Sequence, residues 1–307
     1  EYQNQSNPEQ SYTPSILSYS TAKTSKTIVD FERGIIYMNA STPETLRDAI
    51  IDVVLTQIDP SVIDAQTAID FGLINEETNK PFFWGQVLDH KGKPISSRRP
   101  ALDFANFLLR KKTFSDGRFE VTIRMIDAHK KIAGAKYVSF VKAACLEYSI
   151  SSSLVMAIME TESSFNPLAR SRSNALGLMQ VKANTAGRDY FSLIKGYKHT
   201  PSSKFLYSPK NNIEVATGYL NILSNRYLRG IEDPKKLEYA MISSYNGGAG
   251  NLWKSLDKSG NKTKALKRIN QMSTKQFYWF LTNRHIRQET REYLKKVNDR
   301  KSKYTLI

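Results

Sequence analysis

Cysteine and histidine, which most often build metal sites and reactive centres, are scarce in this chain. Cys145 is the only cysteine among 307 residues, so an intrachain disulfide and a multi-cysteine metal site are excluded. In its helical run it is interpreted as a small core residue rather than a catalytic thiol. The four histidines show no ligand spacing: they are His90, His129, His199 and His285. The sequence therefore predicts neither a bound metal nor a cofactor.

Long apolar runs are also missing. No stretch approaches the roughly 18 to 20 apolar residues of a membrane-spanning helix, and the first residues lack the layout of a signal peptide. We therefore expect a soluble globular chain, with 14 Phe and 16 Tyr available for its core. The sequence begins at Glu1 rather than Met, and an export signal or lipid attachment removed before this point would not be visible.

Acidic residues are few, with 29 Asp and Glu against 45 Lys and Arg and a net charge of +16. Between Asn251 and Ile307 there are 15 basic and 4 acidic residues, so 11 of the 16 excess charges lie there. Such a surface attracts polyanions, whether nucleic acid, anionic lipid headgroups or a carboxylate-bearing cell-wall polymer. Charge alone does not choose among these partners.

Composition and hydrophobic periodicity divide the chain into three segments. Residues 1–26, rich in Ser, Thr, Gln, Asn and Tyr, predict a flexible leader. Residues 27–133 predict an α+β accessory domain without a phosphate loop, metal cluster or nucleophile motif, which is interpreted as a structural or positioning module. Residues 134–307 predict a mostly α-helical domain.

Alternating and helical patterns locate the elements of these domains. The predicted strands cover residues 27–31, 35–38, 82–88 and 118–126. The predicted helices of the first domain cover 43–58, capped by Thr42, and 102–109. Those of the second domain cover 137–148, 153–163, 213–227, 236–244 and 290–297.

Glu162 stands at the end of a strongly apolar helical segment. It follows a stripe of apolar side chains at helical spacing and therefore extends the buried face. Glu160 points to another side of the helix and is interpreted as a solvated charge. Asn166-Pro167 disfavours further helix, so Glu162 lies near the helix end. The stripe consists of Leu154, Val155, Ile158 and Met159.

The position of Glu162 fits two interpretations. A carboxyl group at the edge of an apolar core keeps its proton to higher pH than a solvated one, which suits a general acid. The alternative is an ion pair with Arg170 or Arg172 at the helix terminus. Position alone does not decide between them.

Two later segments favour catalysis. In Gly177-Leu178-Met179-Gln180, the glycine permits close approach of the backbone to a ligand. Tyr245-Asn246-Gly247-Gly248 ends a later helix. The amides of Gln180 and Asn246 suit the hydroxyl and acetamido groups of sugars. These segments shift the interpretation of Glu162 from ion pairing to catalysis on a saccharide.

The ordered motifs resemble those of family 1 lytic transglycosylases. They are Glu162-Ser163-Ser164-Phe165-Asn166-Pro167, Gly177-Leu178-Met179-Gln180, Tyr245-Asn246-Gly247-Gly248 and the tyrosine in Glu292-Tyr293-Leu294. Similarity to the membrane-bound members extends back to about Thr27 and does not cover the leader. Ser244 departs from the alanine that is usual before the Tyr-Asn pair.

The resemblance implies a goose-lysozyme-like helical catalytic domain. It also implies cleavage of the β-1,4 bond between N-acetylmuramic acid and N-acetylglucosamine without water, which leaves 1,6-anhydro ends. Glu162 would act as acid and then as base. The implied substrate contacts are Ser171 beside that carboxylate or its sugar ring, Met179 and Gln180 in the cleft motif, Tyr245 in the cleft wall, Asn246 on the saccharide, and Tyr293 near the acid.

Only one carboxylate is placed by a motif, whereas most glycosidases use two that lie about 5 to 9.5 Å apart. Asp189 and Glu214 lie in the same half but in no motif. A single acid completes the reaction if the 6-hydroxyl of the substrate supplies the nucleophile. The nearest alternative is a lysozyme-type hydrolase in which Glu162 acts with an activated water.

Two further alternatives have no catalysis. The basic C-terminal region near Tyr278, Trp279 and Phe280 raises nucleic-acid binding, although no nucleic-acid-binding signature is present and none is expected as a partner. The other is a catalytically inactive cell-wall binding module.

The resemblance also implies a location and partners. The partner is the glycan strand of peptidoglycan, whose peptide stems carry carboxylates. The location is the periplasm of a Gram-negative bacterium, as an outer-membrane lipoprotein with a lipidated cysteine before Glu1 and the leader as a tether. The oligomeric state is left open.

Overall fold

The computed structural model describes residues 12–20, 24–56 and 80–307. The chain divides into two compact units, each made of several segments. The N-terminal unit comprises Glu1–Val138, Glu162–Lys182 and Ser202–Asn212, and the helical unit comprises Ser139–Thr161, Ala183–Pro201 and Ile213–Ile307. The sequence analysis divided the chain into two contiguous domains, whereas each of these units combines separate segments. The contiguous domains remain a prediction.

A five-stranded antiparallel sheet forms one layer of the N-terminal unit. Along β2 and β3 every second residue is buried, because successive side chains of a strand point to opposite faces. The strands lie in the order β1-β2-β3-β5-β4. In chain order they are β1 (Ile16–Tyr19), β2 (Ser25–Asp30), β3 (Ile35–Ala40), β4 (Thr113–Ser115) and β5 (Arg118–Arg124).

Two helices complete the core of this sheet layer. Helix α1 (Pro43–Leu55) packs on the sheet, and α2 (Arg98–Leu109) packs on α1. Thr42 caps α1 as predicted, because its hydroxyl oxygen accepts the backbone N–H of Thr45 at 3.2 Å. The last two residues of the predicted helix, 57 and 58, lie outside the described residues. The core between sheet and helices contains Val29, Ile36, Met38, Leu46, Ile50, Val53, Ala105 and Ile123.

The structure contradicts the sequence expectation in the leader and in the segment 82–88. β1 lies inside the predicted flexible leader, so that prediction is wrong for Ile16–Tyr19, which pair with β2. The strand predicted at 82–88 is also wrong, since that segment makes only isolated bridges. Phe82 and Phe83 are both buried although they are adjacent, and Gly85 has a φ of +77°, so the chain turns there instead of extending.

The rest of the chain is mainly helical, and each helix predicted there is confirmed. The predicted segment 213–227 runs from an α-helix into a π-helical turn, Leu223–Tyr227. The helices are α3 (His129–Ala135), α4 (Val138–Tyr148), α5 (Ser152–Ser163), α6 (Arg188–Tyr190), α7 (Ser203–Tyr207), α8 (Pro209–Ile222), α9 (Pro234–Gly247), α10 (Ala249–Leu256), α11 (Lys262–Gln271), α12 (Thr274–Arg284) and α13 (Gln288–Lys301).

The lone cysteine lies on one of these helices. Cys145 is buried on α4, and burial raises the pKa of its thiol, which agrees with the predicted core role. No helix in the described ranges is long and apolar enough to cross a bilayer. The shorter elements are the strands β6 (Ala175–Leu176) and β7 (Val181–Lys182), the π-helical turns Ala183–Gly187 and Phe191–Lys195, and the 3-10 turn Ser302–Tyr304.

Candidate active site

Glu162 is the penultimate residue of α5 and is half-buried. All seven residues from 154 to 160 are buried, so α5 is a core helix and not an amphipathic one. The apolar stripe of the sequence analysis is therefore one side of a helical segment that is buried on all sides, residues 154–160. Glu162 follows this buried segment, and it and Thr161 are half-buried.

Glu160 is not the solvated charge that the sequence predicts. Its side chain is 1% exposed, and it accepts hydrogen bonds from the Tyr304 hydroxyl at 2.5 Å and from Lys303 Nζ at 3.0 Å. Burial alone would raise the pKa of this carboxyl, but these hydrogen bonds outweigh it and lower the pKa. Arg300 adds a second cationic group, with Nε at 3.5 Å. Glu160 therefore ties α5 to the C-terminal end of the chain within the helical unit.

The helix end predicted from Asn166-Pro167 is confirmed. Helix α5 stops at Ser163, and Ser164 and Phe165 follow in the left-handed region with φ of 51° and 65°. The Asn166 side chain then accepts the backbone N–H of Leu168 at 3.1 Å, which stabilises the turn. Glu162 therefore lies immediately before a sharp turn in the chain.

The Gly177-to-Gln180 segment contacts the end of α5. Ser163 Oγ donates to the Leu178 carbonyl at 2.7 Å. Gly177 has a φ of +73°, and a Cβ atom there would lie 2.5 Å from Asn212 Nδ2 and 2.7 Å from the Leu206 carbonyl oxygen. No other residue fits this position without displacing backbone.

Asn212 holds this segment in place and was missed by the sequence analysis. It is fully buried, accepts the Met179 N–H at 2.7 Å, and donates to the carbonyls of Leu176 and Leu206 at 2.8 and 2.7 Å. A buried amide that satisfies three backbone groups fixes a loop firmly. The only signal in the sequence was an Asn on a helix, which is too common to single out.

The predicted contacts Ser171, Met179 and Gln180 all lie in the N-terminal unit with Glu162. Met179 is fully buried, and Gln180, with φ of 52°, donates through Nε2 to the Gly177 carbonyl at 3.1 Å. Ser171 is half-buried, and its hydroxyl accepts the Ala175 N–H at 3.1 Å. The contacts of these three side chains with a saccharide remain predictions.

The predicted contacts Tyr245, Asn246 and Tyr293 lie together in the helical unit. Tyr245 and Asn246 are half-buried at the end of α9. Asn246 Oδ1 accepts from the Thr290 hydroxyl at 2.7 Å, and its Nδ2 donates to Glu289 at 3.2 Å. Tyr293 is buried one turn further along α13. The Asn246 amide is therefore oriented by the first turn of α13.

Close packing explains why glycine follows Asn246. A Cβ at Gly247 would lie 2.6 Å from the Thr290 hydroxyl oxygen and 3.3 Å from the His285 ring. His285 is fully buried, and burial lowers the pKa of its ring from 6.5 to about 4. Ser244, at the usual alanine position, buries a hydroxyl for which the described part of the chain offers no hydrogen-bond partner.

Both candidates for a second carboxylate are held by other side chains of the helical unit. Glu214 accepts from the Tyr190 hydroxyl at 2.7 Å and pairs with Lys195 at 3.4 Å. Asp189 accepts from the Tyr227 hydroxyl at 2.6 Å, a bond that raises the pKa of Tyr227 to about 12. These bonds give each acid a structural role.

A cavity of about 630 Å³ lies in the helical unit, but it contains none of the predicted site residues. Trp279 on its wall is 54% exposed, whereas the neighbouring Phe280 is buried. The cavity is lined by Arg268, Gln271, Met272, Lys275, Gln276, Trp279 and Phe280.

Two family models match the chain. The transglycosylase SLT domain matches residues 139–267, and the N-terminal domain of membrane-bound lytic murein transglycosylase C matches residues 4–136. The membrane-bound lytic murein transglycosylase C of Edwardsiella ictaluri is 41% identical over 301 residues, which cover 95% of this chain and 82% of the relative. The protein of the same name from Salmonella typhimurium is 41% identical over 297 residues, covering 94% and 81%.

Two solved structures show a weaker likeness. The lytic transglycosylase Slt of Pseudomonas aeruginosa has a TM-score of 0.41 and 21% identity. The 70 kDa soluble lytic transglycosylase of Escherichia coli has the same TM-score and 26% identity. Each match covers 54% of this chain and 23% of the solved chain.

Proposed function

This chain belongs to the membrane-bound lytic murein transglycosylase C family and is a peptidoglycan lytic transglycosylase with a lysozyme-like helical domain, and on this premise we propose that Glu162 carries its proton transfers. The observation that supports Glu162 is its position. It is half-buried at the end of a helix whose residues 154–160 are all buried, beside the Gly177-to-Gln180 segment that Ser163 contacts. A carboxyl group at such a boundary reaches a substrate and is partly shielded from water.

The proposed reaction has two proton transfers. Glu162 first donates its proton to the glycosidic oxygen as the bond from C1 of N-acetylmuramic acid breaks. Positive charge then develops on the sugar as an oxocarbenium-like or acetamido-stabilised species. Glu162, now a carboxylate, removes the proton of the 6-hydroxyl, whose oxygen bonds to C1. The products are a 1,6-anhydro end and a free 4-hydroxyl, and Glu162 regains its proton.

The remaining site residues are proposed to hold the sugars. Gln180 and Asn246 would hydrogen-bond the saccharide, Tyr245 would form a wall of the cleft, and Tyr293 would lie near the acid. Ser171 would support the carboxylate or its sugar ring, and Met179 would shape the cleft motif. The engagement of Asp189 and Glu214 in hydrogen bonds with tyrosines supports a reaction with one catalytic carboxylate.

The masses of the products separate this reaction from the lysozyme-type alternative. After digestion of purified sacculi, we expect every new N-acetylmuramic acid end to be lighter by one water than a reducing end, because the 6-hydroxyl takes the place of water. Mass spectrometry of the released muropeptides is the measurement. Hydrated reducing ends as the main products would contradict the proposal and favour the hydrolase.

We also propose a periplasmic location with attachment to the outer membrane through an N-terminal lipid. The word membrane-bound in the names of the relatives supports this location, as does the match of their N-terminal domain. Fractionation of cells that express the full-length gene is the test. Recovery with the outer membrane would support the proposal, and recovery in the periplasmic fluid would contradict it.

A further inference from the structure

The turn that follows Glu162 is bonded to the sheet layer of the N-terminal unit. The Ser164 hydroxyl donates to Glu32 Oε2, and Ser164 is almost completely buried. The Asn166 amide donates to the Pro14 carbonyl at 2.8 Å, and Asn166 is fully buried. Both bonds join residues more than 130 positions apart, within four residues of Glu162.

Glu32 is itself held firmly. It lies in the turn between β2 and β3, and its Oε1 pairs with Lys130 Nζ at 2.6 Å. The neighbouring His129 ring lies 3.0 Å from the Phe31 carbonyl oxygen and 3.0 Å from that of Ile126. The turn containing Glu32 and the first turn of α3 therefore form one bonded cluster.

Close packing fixes the same cluster. Gly34 in this turn has a φ of +65°, and a Cβ atom there would lie 2.8 Å from the His129 ring. The ring therefore occupies the space that a side chain would need. The position of the Glu32 carboxylate is thus set by the fold of the predicted α+β domain, residues 27–133, which is called the α+β module below.

The turn after Glu162 needs such external support. Ser164 and Phe165 are consecutive non-glycine residues with positive φ, a conformation that costs free energy and persists only where surrounding contacts enforce it. Phe165 is buried, and Ser163 is bonded to the Leu178 carbonyl. Loss of the Ser164 bond would let the turn relax, and Glu162 is only two residues away.

We propose that Glu32 is a positioning residue for Glu162 that acts through Ser164, so that the α+β module sets the geometry of the acid. This inference rests on the proposed catalytic role of Glu162. Small displacements of a catalytic group lower rates strongly, so the effect should fall on the chemical step. The Glu32 side chain is 41% exposed, and its ion pair with Lys130 is of a kind that contributes little to stability.

The test compares initial rates of the full chain on a soluble peptidoglycan tetrasaccharide, with anhydro products counted by mass spectrometry. We expect Glu32→Ala to lower kcat about tenfold or more with KM close to that of the wild type, and to lower the melting temperature no more than Ser164→Ala does. Glu32→Gln keeps an acceptor for Ser164 and should retain most of the wild-type kcat. Asp103→Ala, an exposed acid on α2 in the same unit, is the matched control and should have no effect.

A double variant identifies the route of the effect. If Glu32 acts through Ser164, then Ser164→Ala alone should lower kcat as much as Glu32→Ala, and the double variant should lose no more than either. Losses that multiply would overturn the proposal, as would a Glu32→Ala kcat within twofold of the wild type. A loss seen only in KM or melting temperature would do the same.

Failure of this proposal is distinguishable from failure of the proposed function. The same assay includes Glu162→Gln, which should be inactive. An active Glu162→Gln variant would overturn the proposed function. A full-rate Glu32→Ala variant beside an inactive Glu162→Gln variant would overturn the positioning role alone.

Discussion

Glu160 and Glu162 lie two residues apart on one helix and have different environments. Glu160 is enclosed by three groups from the C-terminal end of the chain, which keep it ionised, whereas Glu162 stands half-buried at the helix end. A proton donor must hold its proton near neutral pH, so the environment of Glu160 is unsuited to that role. Periodicity predicted that Glu160 is solvated instead of buried, because its partners are at least 140 residues away in the sequence.

His285 makes stability depend on pH. Burial lowers its pKa from 6.5 to about 4 in the folded protein, and the charges of Arg287 and Arg291 act in the same direction. The unfolded chain therefore binds this proton more readily, so acidification from pH 6.5 towards 4 favours unfolding. The contribution lost by about pH 4.5 is about 2 kcal/mol.

The substitution His285→Asn tests this contribution, because Asn keeps an acceptor for the Arg287 N–H and does not titrate. We expect the difference in unfolding free energy between about pH 7 and about pH 4.5 to shrink by about 2 kcal/mol. Urea unfolding at the two pH values is the measurement. The exposed His90→Asn should keep the full wild-type difference. An unchanged acid loss in His285→Asn would refute the assignment.

At the scale of elements, the segment Gly177-to-Gln180 depends on a glycine for two reasons. Gly177→Ala introduces left-handed strain and a clash with Asn212 and the Leu206 carbonyl. We expect a loss of about 3 kcal/mol in unfolding free energy and a lower kcat, because the segment contacts the end of α5.

A second glycine separates the two causes. Gly92 has a similar φ of +74°, but nothing lies within 4 Å of its added Cβ. Gly92→Ala should therefore cost only the strain, about 1 kcal/mol, and leave kcat unchanged. Chemical denaturation of both variants is the measurement. Equal losses would show that the clash at Gly177 is relieved without cost.

Elements defined by local patterns were predictable, and those defined by distant partners were not. The cap at Thr42, the end of α5 before Pro167 and the helices of the second half follow from short-range rules. The strand predicted at 82–88 failed because both adjacent phenylalanines are buried. Asn212 and Glu32 could not be found, since their roles depend on groups brought together only by folding.

At the scale of the whole molecule, the excess of positive charge fits the family assignment. Peptidoglycan carries stem carboxylates, so a chain with a net charge of +16 is attracted to its own substrate. The match to the relatives covers both halves of the chain, including the α+β module. Binding to peptidoglycan thus depends on the overall charge of the chain, whereas catalysis depends on a single carboxyl group.

The most direct test of the account separates binding from catalysis with the substitution Glu162→Gln, which keeps the shape of the side chain and removes the acidic proton. Purified sacculi are incubated with the wild type, with this variant and with Glu292→Gln, whose carboxylate is exposed and pairs with Lys295 on the same helix. The account predicts that Glu162→Gln releases muropeptides at least about a thousandfold more slowly while sedimenting with sacculi as the wild type does. Glu292→Gln should keep wild-type release. Wild-type release by Glu162→Gln would contradict the assignment of Glu162 as the catalytic acid and base.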